Sequence, residues 1–325
     1  MPVTSFNTDA DALTMTVVAE FSAPVARLWN VYADPRQIER FWGPVDYPAT
    51  FTRHDFAVGG QSHYYMTGPD GDQFHGLWEY LEIEPHARVV VLDKFATSAG
   101  VENSEIPALH MTLTFEATEG GSRLTTLTKF ASLEALEQIV EMGAVEGTES
   151  AMSQLDDVLA DLASFAADRS VEAQILSDTQ VRVSRVIRGT VEQVWEAHHN
   201  ADLMKKWLLG PDGWEMTVCE IATEVGGAYR YAWAMVGSSE VGFGFDGELL
   251  ESAPPYREVT SEHMTGTDYP GTTNEMTLTP VEGGTLLSLV ITYANSEARD
   301  AVLATGMTDG METSYARLES QLAAV

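Results

Sequence analysis

The chain has 325 residues, more than the roughly 100 to 200 of a typical single domain, which predicts two domains. Its 49 Asp and Glu outnumber its 18 Lys and Arg, and the formal net charge of -31 argues against nucleic acids and anionic membranes as partners. Cys219 is the single cysteine, which excludes an internal disulfide and a cysteine-based zinc site. The sequence shows neither a signal-peptide pattern nor a run of about 18 apolar residues, so we expect a cytoplasmic protein without membrane insertion.

An internal repeat spans nearly the whole sequence. Short motifs of the first half recur in the same order in the second half, and their offset drifts by only a few residues, as loop insertions would cause. The matching pairs are Val25 to Trp29 with Val191 to Trp195, Gly43-Pro44 with Gly210-Pro211, Val58 to Gly60 with Val225 to Gly227, and Glu119 to Leu124 with Glu282 to Leu287. The repeat predicts one domain over residues 1–165, a linker over 166–178 and a second copy over 179–325.

Each copy is predicted to open with a strand followed by a helix. Apolar and polar residues largely alternate over Met15–Phe21 and again over Val181–Ile187, a period of two that is typical of strands. The next apolar residues recur at helical spacing, and they place Trp29 and Trp195 on the buried face as expected core anchors.

Capping residues are predicted just before these two helices. Thr190 and Gln193 have the spacing of a capping box, in which each side chain bonds the backbone N–H of the other residue. Ser22 is the candidate cap of the first copy.

The middle of each copy is predicted to form five or six strands joined mostly by hairpins. Glycine pairs such as Gly120-Gly121 and Gly283-Gly284 mark the turns, so the sheet should be antiparallel. Over Leu109–Phe115 every second residue is apolar, with His110 among those on the other side, which indicates one dry face and one wet face.

Each copy closes with an amphipathic helix that can cover the dry face of the sheet. The apolar residues on its buried side are Met152, Leu155, Leu159 and Leu162 in the first copy and Met311, Tyr315, Leu318 and Leu322 in the second. A curved antiparallel sheet wrapped around one long helix is an α+β fold.

These motifs resemble the SRPBCC or START-like (Bet v 1-like, helix-grip) superfamily, and more narrowly the branch named for the activator of the Hsp90 ATPase. Members of this branch that stimulate the chaperone join the domain to a different N-terminal domain, whereas this sequence carries two tandem copies. The residues that carry the resemblance are Phe41 to Pro44, Val58 to Gly60, His75 to Glu79, Glu82 to Pro85 and Gly143 to Gly147 in the first copy, and Trp195, Trp207, Gly210-Pro211, Gly226-Gly227, Pro254-Pro255 and Ala301 to Tyr315 in the second.

The resemblance implies a largely apolar cavity between the sheet and the last helix. Aromatic and Met residues suit such a pocket, although the same residues could simply fill a core. Those expected to face it are Trp42, Tyr64, Met66, Trp78, Met111, Phe115, Phe130 and Met142 in the first copy, and Trp207, Trp214, Tyr229, Tyr231, Trp233, Phe245, Met276, Tyr293, Met307 and Met311 in the second.

Catalytic and metal-binding signals are weak in this sequence. No His-x-x-x-His spacing occurs, and the adjacent His198 and His199 cannot share one helix face, so we expect neither a metal nor a cofactor. An acid–base enzyme would need a titratable group in the cavity, for which His75 and Tyr64 are the candidates.

Three functions remain open. The leading hypothesis is binding or sequestration of a hydrophobic small molecule without catalysis, by a monomer or homodimer. The alternatives are a polyketide cyclase-like or hydratase-like enzyme acting on an aromatic or polyketide substrate, and a protein-interaction adaptor of the co-chaperone kind.

Overall fold

The computed structural model describes residues 2–104, 106–141, 143–161 and 170–323. Contacts between Cα atoms divide the chain into two compact units, residues 1–163 and 164–325. Within the described residues, the helices are too short or too polar for any of them to cross a lipid bilayer.

Among its described residues, the first unit has an eight-stranded antiparallel sheet and four helices. Its strand order is β1-β2-β8-β7-β6-β5-β4-β3, so the hairpins β3 to β8 form a continuous meander that β2 and β1 extend. In chain order its elements are β1 (Val3–Asp9), β2 (Thr14–Phe21), α1 (Val25–Ala33), α2 (Pro35–Ile38), β3 (Ala49–His54), β4 (Gln61–Thr67), β5 (Gln73–Glu84), β6 (Arg88–Ala96), β7 (Leu109–Thr118), β8 (Gly121–Lys129), α3 (Leu133–Glu141) and α4 (Ala144–Ala160).

The second unit repeats this topology. Its strand order is β9-β10-β16-β15-β14-β13-β12-β11, which is the order of the first unit with every strand number raised by eight. Its elements are β9 (Glu172–Ile175), β10 (Gln180–Ile187), α5 (Val191–His199), α6 (Ala201–Trp207), β11 (Trp214–Glu220), β12 (Ala228–Met235), β13 (Phe243–Ala253), β14 (Arg257–Met264), β15 (Thr272–Val281), β16 (Gly284–Thr292), α7 (Ser296–Leu303) and α8 (Met307–Leu322).

The predicted α+β fold with two tandem helix-grip domains is therefore confirmed, while two details of the prediction differ from the structure. A strand precedes the predicted opening strand of each unit, since β1 pairs with β2 and β9 pairs with β10. Strand β9 lies inside the predicted linker 166–178, of which residues 166–169 lie outside the described part of the chain.

The first helices of the two units, α1 and α5, are capped differently at their N-termini, although the repeat predicted a capping residue for both. Thr190 accepts a hydrogen bond from the backbone of Gln193, whose side chain bonds back to the Thr190 N–H, so the capping box is present. Helix α1 instead begins after Pro24, and no side chain caps it, so the prediction that Ser22 serves as the cap is wrong. Proline fixes the backbone angle that a helix start needs, which explains why α1 forms without a cap.

Alternation along the strands sets the buried face of the sheet as predicted. On β7, Met111, Leu113 and Phe115 are buried while His110 is exposed. On the predicted helix face, Leu162 lies outside the described residues.

The two helix tryptophans occupy different surroundings. Trp29 is 4% exposed and lies edge-on to Phe56 and Phe115 within the core of the first unit. Trp195 is only half-buried, and its ring stacks on His199 with ring centroids 3.9 Å apart.

We expect Thr190→Ala to lower the free energy of unfolding of the second unit by about 1 kcal/mol, because it removes the capping box. Ser22→Ala is the matched control and should change the stability of the first unit by less than about 0.5 kcal/mol. Urea unfolding followed by circular dichroism and tryptophan fluorescence measures both effects. Equal losses in the two variants would contradict this assignment of the caps.

Candidate functional site

A cavity of about 870 Å³ lies in the second unit between the sheet and α8. Its wall combines the concave face of β12 to β16, the end of α5, α6 and the first turns of α8. The lining is mainly apolar. Its polar residues include His198, His199, Glu258, Thr260, Glu262 and Asn274.

Equivalent positions of the two units can be read from shared backbone hydrogen bonds. Each of these bonds is 2.8 Å long and fixes the alignment of one strand with its counterpart eight strands later. The matching bonds are Gly59 N–H to Tyr80 O with Gly226 N–H to Leu249 O, and Phe115 N–H to Ala87 O with Leu278 N–H to Tyr256 O.

The concave faces of the two sheets differ in the size of the side chain at one position. By the first pair of bonds, Trp78 on β5 corresponds to Gly247 on β13. Trp78 is 1% exposed, and its ring lies 4.6 Å from that of Trp42 in an edge-on arrangement. The second unit has no side chain at this position, and the neighbouring Tyr229 and Tyr231 rings line the open cavity.

The floor of the cavity on β14 is polar. Glu258, Thr260 and Glu262 occupy alternate positions and line the cavity together, because alternate residues of a strand share a face. By the second pair of bonds, the first unit has Val89, Val91 and Asp93 at these positions.

His199 and Glu258 form an ion pair at the edge of this floor. The Nε2 atom of His199 lies 2.9 Å from a carboxylate oxygen of Glu258, and its Nδ1 atom lies 2.8 Å from the Trp195 carbonyl oxygen. Burial lowers the pKa of His199, but the hydrogen bond and charge of Glu258 outweigh burial, so the net pKa lies above the ordinary value. Both ring nitrogens therefore act as donors in an imidazolium.

The adjacent His198 is neutral and has an unused acceptor. Its Nδ1 atom lies 2.7 Å from the Val194 carbonyl oxygen, and a carbonyl only accepts, so the ring hydrogen is on Nδ1. Burial is the main cause that lowers the pKa of His198. Its Nε2 atom is buried and has no hydrogen-bond partner among the described residues.

Glu262 is the second carboxyl of the floor, and no Lys, Arg or His side chain lies within 4 Å of it in the described part of the chain. Burial raises the pKa of Glu262, and hydrogen bonding from Asn274 and Tyr229 only partly offsets this effect. Burial therefore favours the protonated form of Glu262 more than it would be favoured in an exposed glutamate.

The first unit carries a carboxyl at the equivalent place, Asp93. Burial raises the pKa of Asp93 to about 7, although the Tyr64 hydroxyl donates a hydrogen bond to it at 3.3 Å. The Tyr64 ring fits there because the facing residue is Gly76, where a Cβ atom would lie 2.2 Å from the ring.

The predicted site residues of the second unit fall into two groups. Trp214 and Trp233 pack against Phe243 at one side of the sheet, and Tyr293 belongs to a separate cluster with Val181 and Val183. The remaining predicted residues line the cavity: Trp207, Tyr229, Tyr231, Phe245, Met276, Met307 and Met311.

In the first unit the predicted residues are also divided. Phe130 lies in a separate small cluster with Met15 and Leu136, and Met142 lies outside the described residues. The others share one core cluster, namely Trp42, Tyr64, Met66, Trp78, Met111 and Phe115.

The two candidate catalytic residues, His75 and Tyr64, are not brought together. His75 pairs across the sheet with Tyr65, and paired residues share a face, so His75 and Tyr64 lie on opposite faces of the sheet. Within the described residues, no three His, Cys, Asp or Glu side chains converge in a way that could hold a metal ion.

Sequence reasoning missed the polar floor. It selected cavity residues by apolar character, whereas Glu258, Glu262 and Asn274 are polar residues on strands that line the cavity. A signal was available in the repeat, because Val89 and Met111 of the first copy align with Glu258 and Asn274 of the second.

Comparisons with known proteins agree with this architecture. A family model described as "Activator of Hsp90 ATPase homolog 1-like protein" matches residues 22–160 and 188–323. No curated protein matches the chain.

Several solved structures are similar to parts of the chain or to nearly all of it. Protein Ms6760 from Mycobacterium smegmatis is 44% identical over 49% of this chain and 97% of its own, with a TM-score of 0.46. A protein from Arthrobacter aurescens is 42% identical over 49% of this chain and 92% of its own, with a TM-score of 0.47. DynU16, a protein of the dynemicin biosynthetic locus, covers 95% of this chain and 99% of its own at 16% identity and a TM-score of 0.34.

We expect the adjacent histidines to titrate on opposite sides of pH 6.5, with His199 above and His198 below. Glu258→Gln should lower the pKa of His199, as measured by NMR titration of the imidazole protons. Because the folded pKa of His199 is raised, its stabilising effect is complete below pH 6.5 and is lost as the pH rises through the folded pKa. A pKa of His199 that is unchanged in the variant would contradict the ion pair.

We expect Asp93→Asn to stabilise the first unit at pH 8 and to have no such effect at pH 4. The folded carboxyl keeps its proton to about pH 7 whereas the unfolded one loses it near pH 3.8, so stability falls between these values and the amide removes that loss. Urea unfolding at both pH values measures the difference. Asp70→Asn, at an exposed turn of the same unit, is the control, and equal effects of the two variants would contradict the buried acid.

Proposed function

The chain belongs to the family described as Activator of Hsp90 ATPase homolog 1-like protein, and we propose that its second unit binds or sequesters a hydrophobic small molecule without converting it. The observation that carries the proposal is the cavity of about 870 Å³ under α8. Pockets for drug-sized ligands are commonly about 300 to 1,000 Å³ and mostly apolar, with a few polar groups that orient the ligand.

The chemistry of the wall supports an adaptable apolar site. Met276, Met307 and Met311 offer flexible, polarisable surface, while Trp207 and Tyr231 offer rigid aromatic surface. A ligand that covers these side chains removes apolar area from water, at about 25 cal/mol per Å². Glu258 and Glu262 place carboxyl groups on the β14 side of the wall, so a molecule with a polar end and an apolar body fits the cavity.

A second candidate function is proton-transfer catalysis on an aromatic or polyketide substrate in the same cavity. The observation in its favour is that Glu262 lines the cavity and that burial raises its pKa, so it can hold and donate a proton. Mass spectrometry of a ligand before and after incubation with the protein distinguishes the two functions. Recovery of the unchanged compound supports binding, and a product that disappears in Glu262→Gln supports catalysis.

We expect Leu289→Trp to weaken binding of an apolar fluorescent dye at the second unit, because Leu289 is half-buried and lines the cavity, so that the larger ring would occupy part of the space that a ligand needs. Dye titration should show at least about a tenfold loss of affinity, equivalent to the 1.4 kcal/mol of one decade. Met235→Trp adds the same ring at a residue that is 59% exposed on β12, and it serves as the control. Undiminished binding to a folded Leu289→Trp variant would contradict the proposal.

A further inference from the structure

The polar end of the second unit's cavity is dominated by groups that accept hydrogen bonds. The Glu262 carboxyl lines the cavity and accepts hydrogen bonds from Asn274 and Tyr229, and no cationic partner lies within 4 Å of it in the described part of the chain. Glu258 lines the same floor, and its carboxylate is shared with His199.

The cations of the cavity wall are already paired. His199 is bound to Glu258 at 2.9 Å, and Arg317 donates to the Gly210 carbonyl at 3.1 Å and to Asp212 at 3.2 Å. An anionic head group would therefore meet carboxylates without a free positive charge, which is costly inside a partly desolvated site. The formal net charge of -31 adds a general repulsion of anions and attraction of cations.

Aromatic rings supply the second element of a cation site. Tyr229 and Tyr231 line the cavity beside the Glu262 floor, with ring centroids 5.0 Å apart, and Phe245 pairs with Tyr231 across β12 and β13. The faces of such rings attract an ammonium group, and the attraction grows as the group loses water.

Resting on the proposed function, we infer that the cavity selects an apolar ligand whose head group is a primary or secondary amine in its ammonium form. The ammonium bonds to the Glu262 carboxylate beside the Tyr229 and Tyr231 rings, while the apolar body lies along the Met and aromatic wall. A fatty-acid carboxylate lacks the positive charge and the hydrogen-bond donors of an ammonium group. An alcohol of equal length has a donor but lacks the positive charge.

The test uses three probes with the same twelve-carbon chain: dodecylamine and dodecanoate below their critical micelle concentrations, and dodecanol below its solubility limit. Isothermal titration of the full-length protein at pH 7 measures each affinity. We expect dodecylamine to bind at least about tenfold more tightly than dodecanol and dodecanoate to bind most weakly, because a charge-assisted hydrogen bond contributes more than a neutral one.

Two isosteric variants separate specific recognition from general attraction of cations. Glu262→Gln removes the carboxylate from the floor, and Glu248→Gln removes the same charge from an exposed position of β13. We expect Glu262→Gln to lose the preference for the amine while it still binds dodecanol, and Glu248→Gln to bind all three probes as the unmodified protein does. Retained binding of dodecanol also shows that the variant is folded.

The outcomes distinguish this inference from the proposed function. Equal affinity for the three probes, or tightest binding of dodecanoate, overturns the amine preference and leaves hydrophobic binding intact. An equal loss in Glu248→Gln and Glu262→Gln assigns the preference to net charge and likewise overturns it. Failure of all three probes to bind contradicts the proposed function itself.

Discussion

The interior of each unit depends on which of two facing strand residues carries the large side chain. On the first unit's sheet, Ser62 pairs with Trp78, and on the second the equivalent pair is Tyr229 with Gly247. A Cβ atom at Gly247 would lie 1.9 Å from the Ser261 carbonyl oxygen and 2.8 Å from the Tyr229 ring, so this position admits glycine alone. The bulk that Trp78 provides on the concave face is thereby absent from the second unit, where Tyr229 and Tyr231 line an open cavity.

Open space on the concave face changes which residues the neighbouring strand and helix can carry. In the first unit, Ala33 and Val89 occupy the positions that His199 and Glu258 hold in the second. In the second unit these two side chains form one hydrogen-bonded ion pair, so each partly buried charge is compensated by the other. The polar edge of the cavity therefore combines one residue of α5 with one residue of β14.

The sequence predicted the architecture well because the architecture follows from local periodicity. Alternation over Leu109–Phe115 and the repeat of motifs define strands, turns and the closing helix without knowledge of distant contacts. The site was less accessible, since burial of Glu262 depends on α8 and on β15, which the pattern of β14 alone does not report. Adjacent histidines illustrate the same limit. They cannot share a helix face, yet His198 turns toward Trp207 and His199 toward Glu258, so both reach the cavity.

A carboxyl at one strand position is common to both units, and its surroundings determine what it can do. Asp93 receives a hydrogen bond from Tyr64 within a cluster of aromatic side chains, so in the first unit the acid is bound to the protein's own phenol. Glu262 is one methylene longer, lines the cavity and stands near Tyr229. Because burial raises the pKa of both acids, each gains from a partner that stabilises the ionised form. The first unit offers only a neutral donor, whereas the space in front of Glu262 allows that partner to be a ligand. Under the proposed function, the volume that faces the carboxyl distinguishes the two units, since the carboxyl itself is present in both copies.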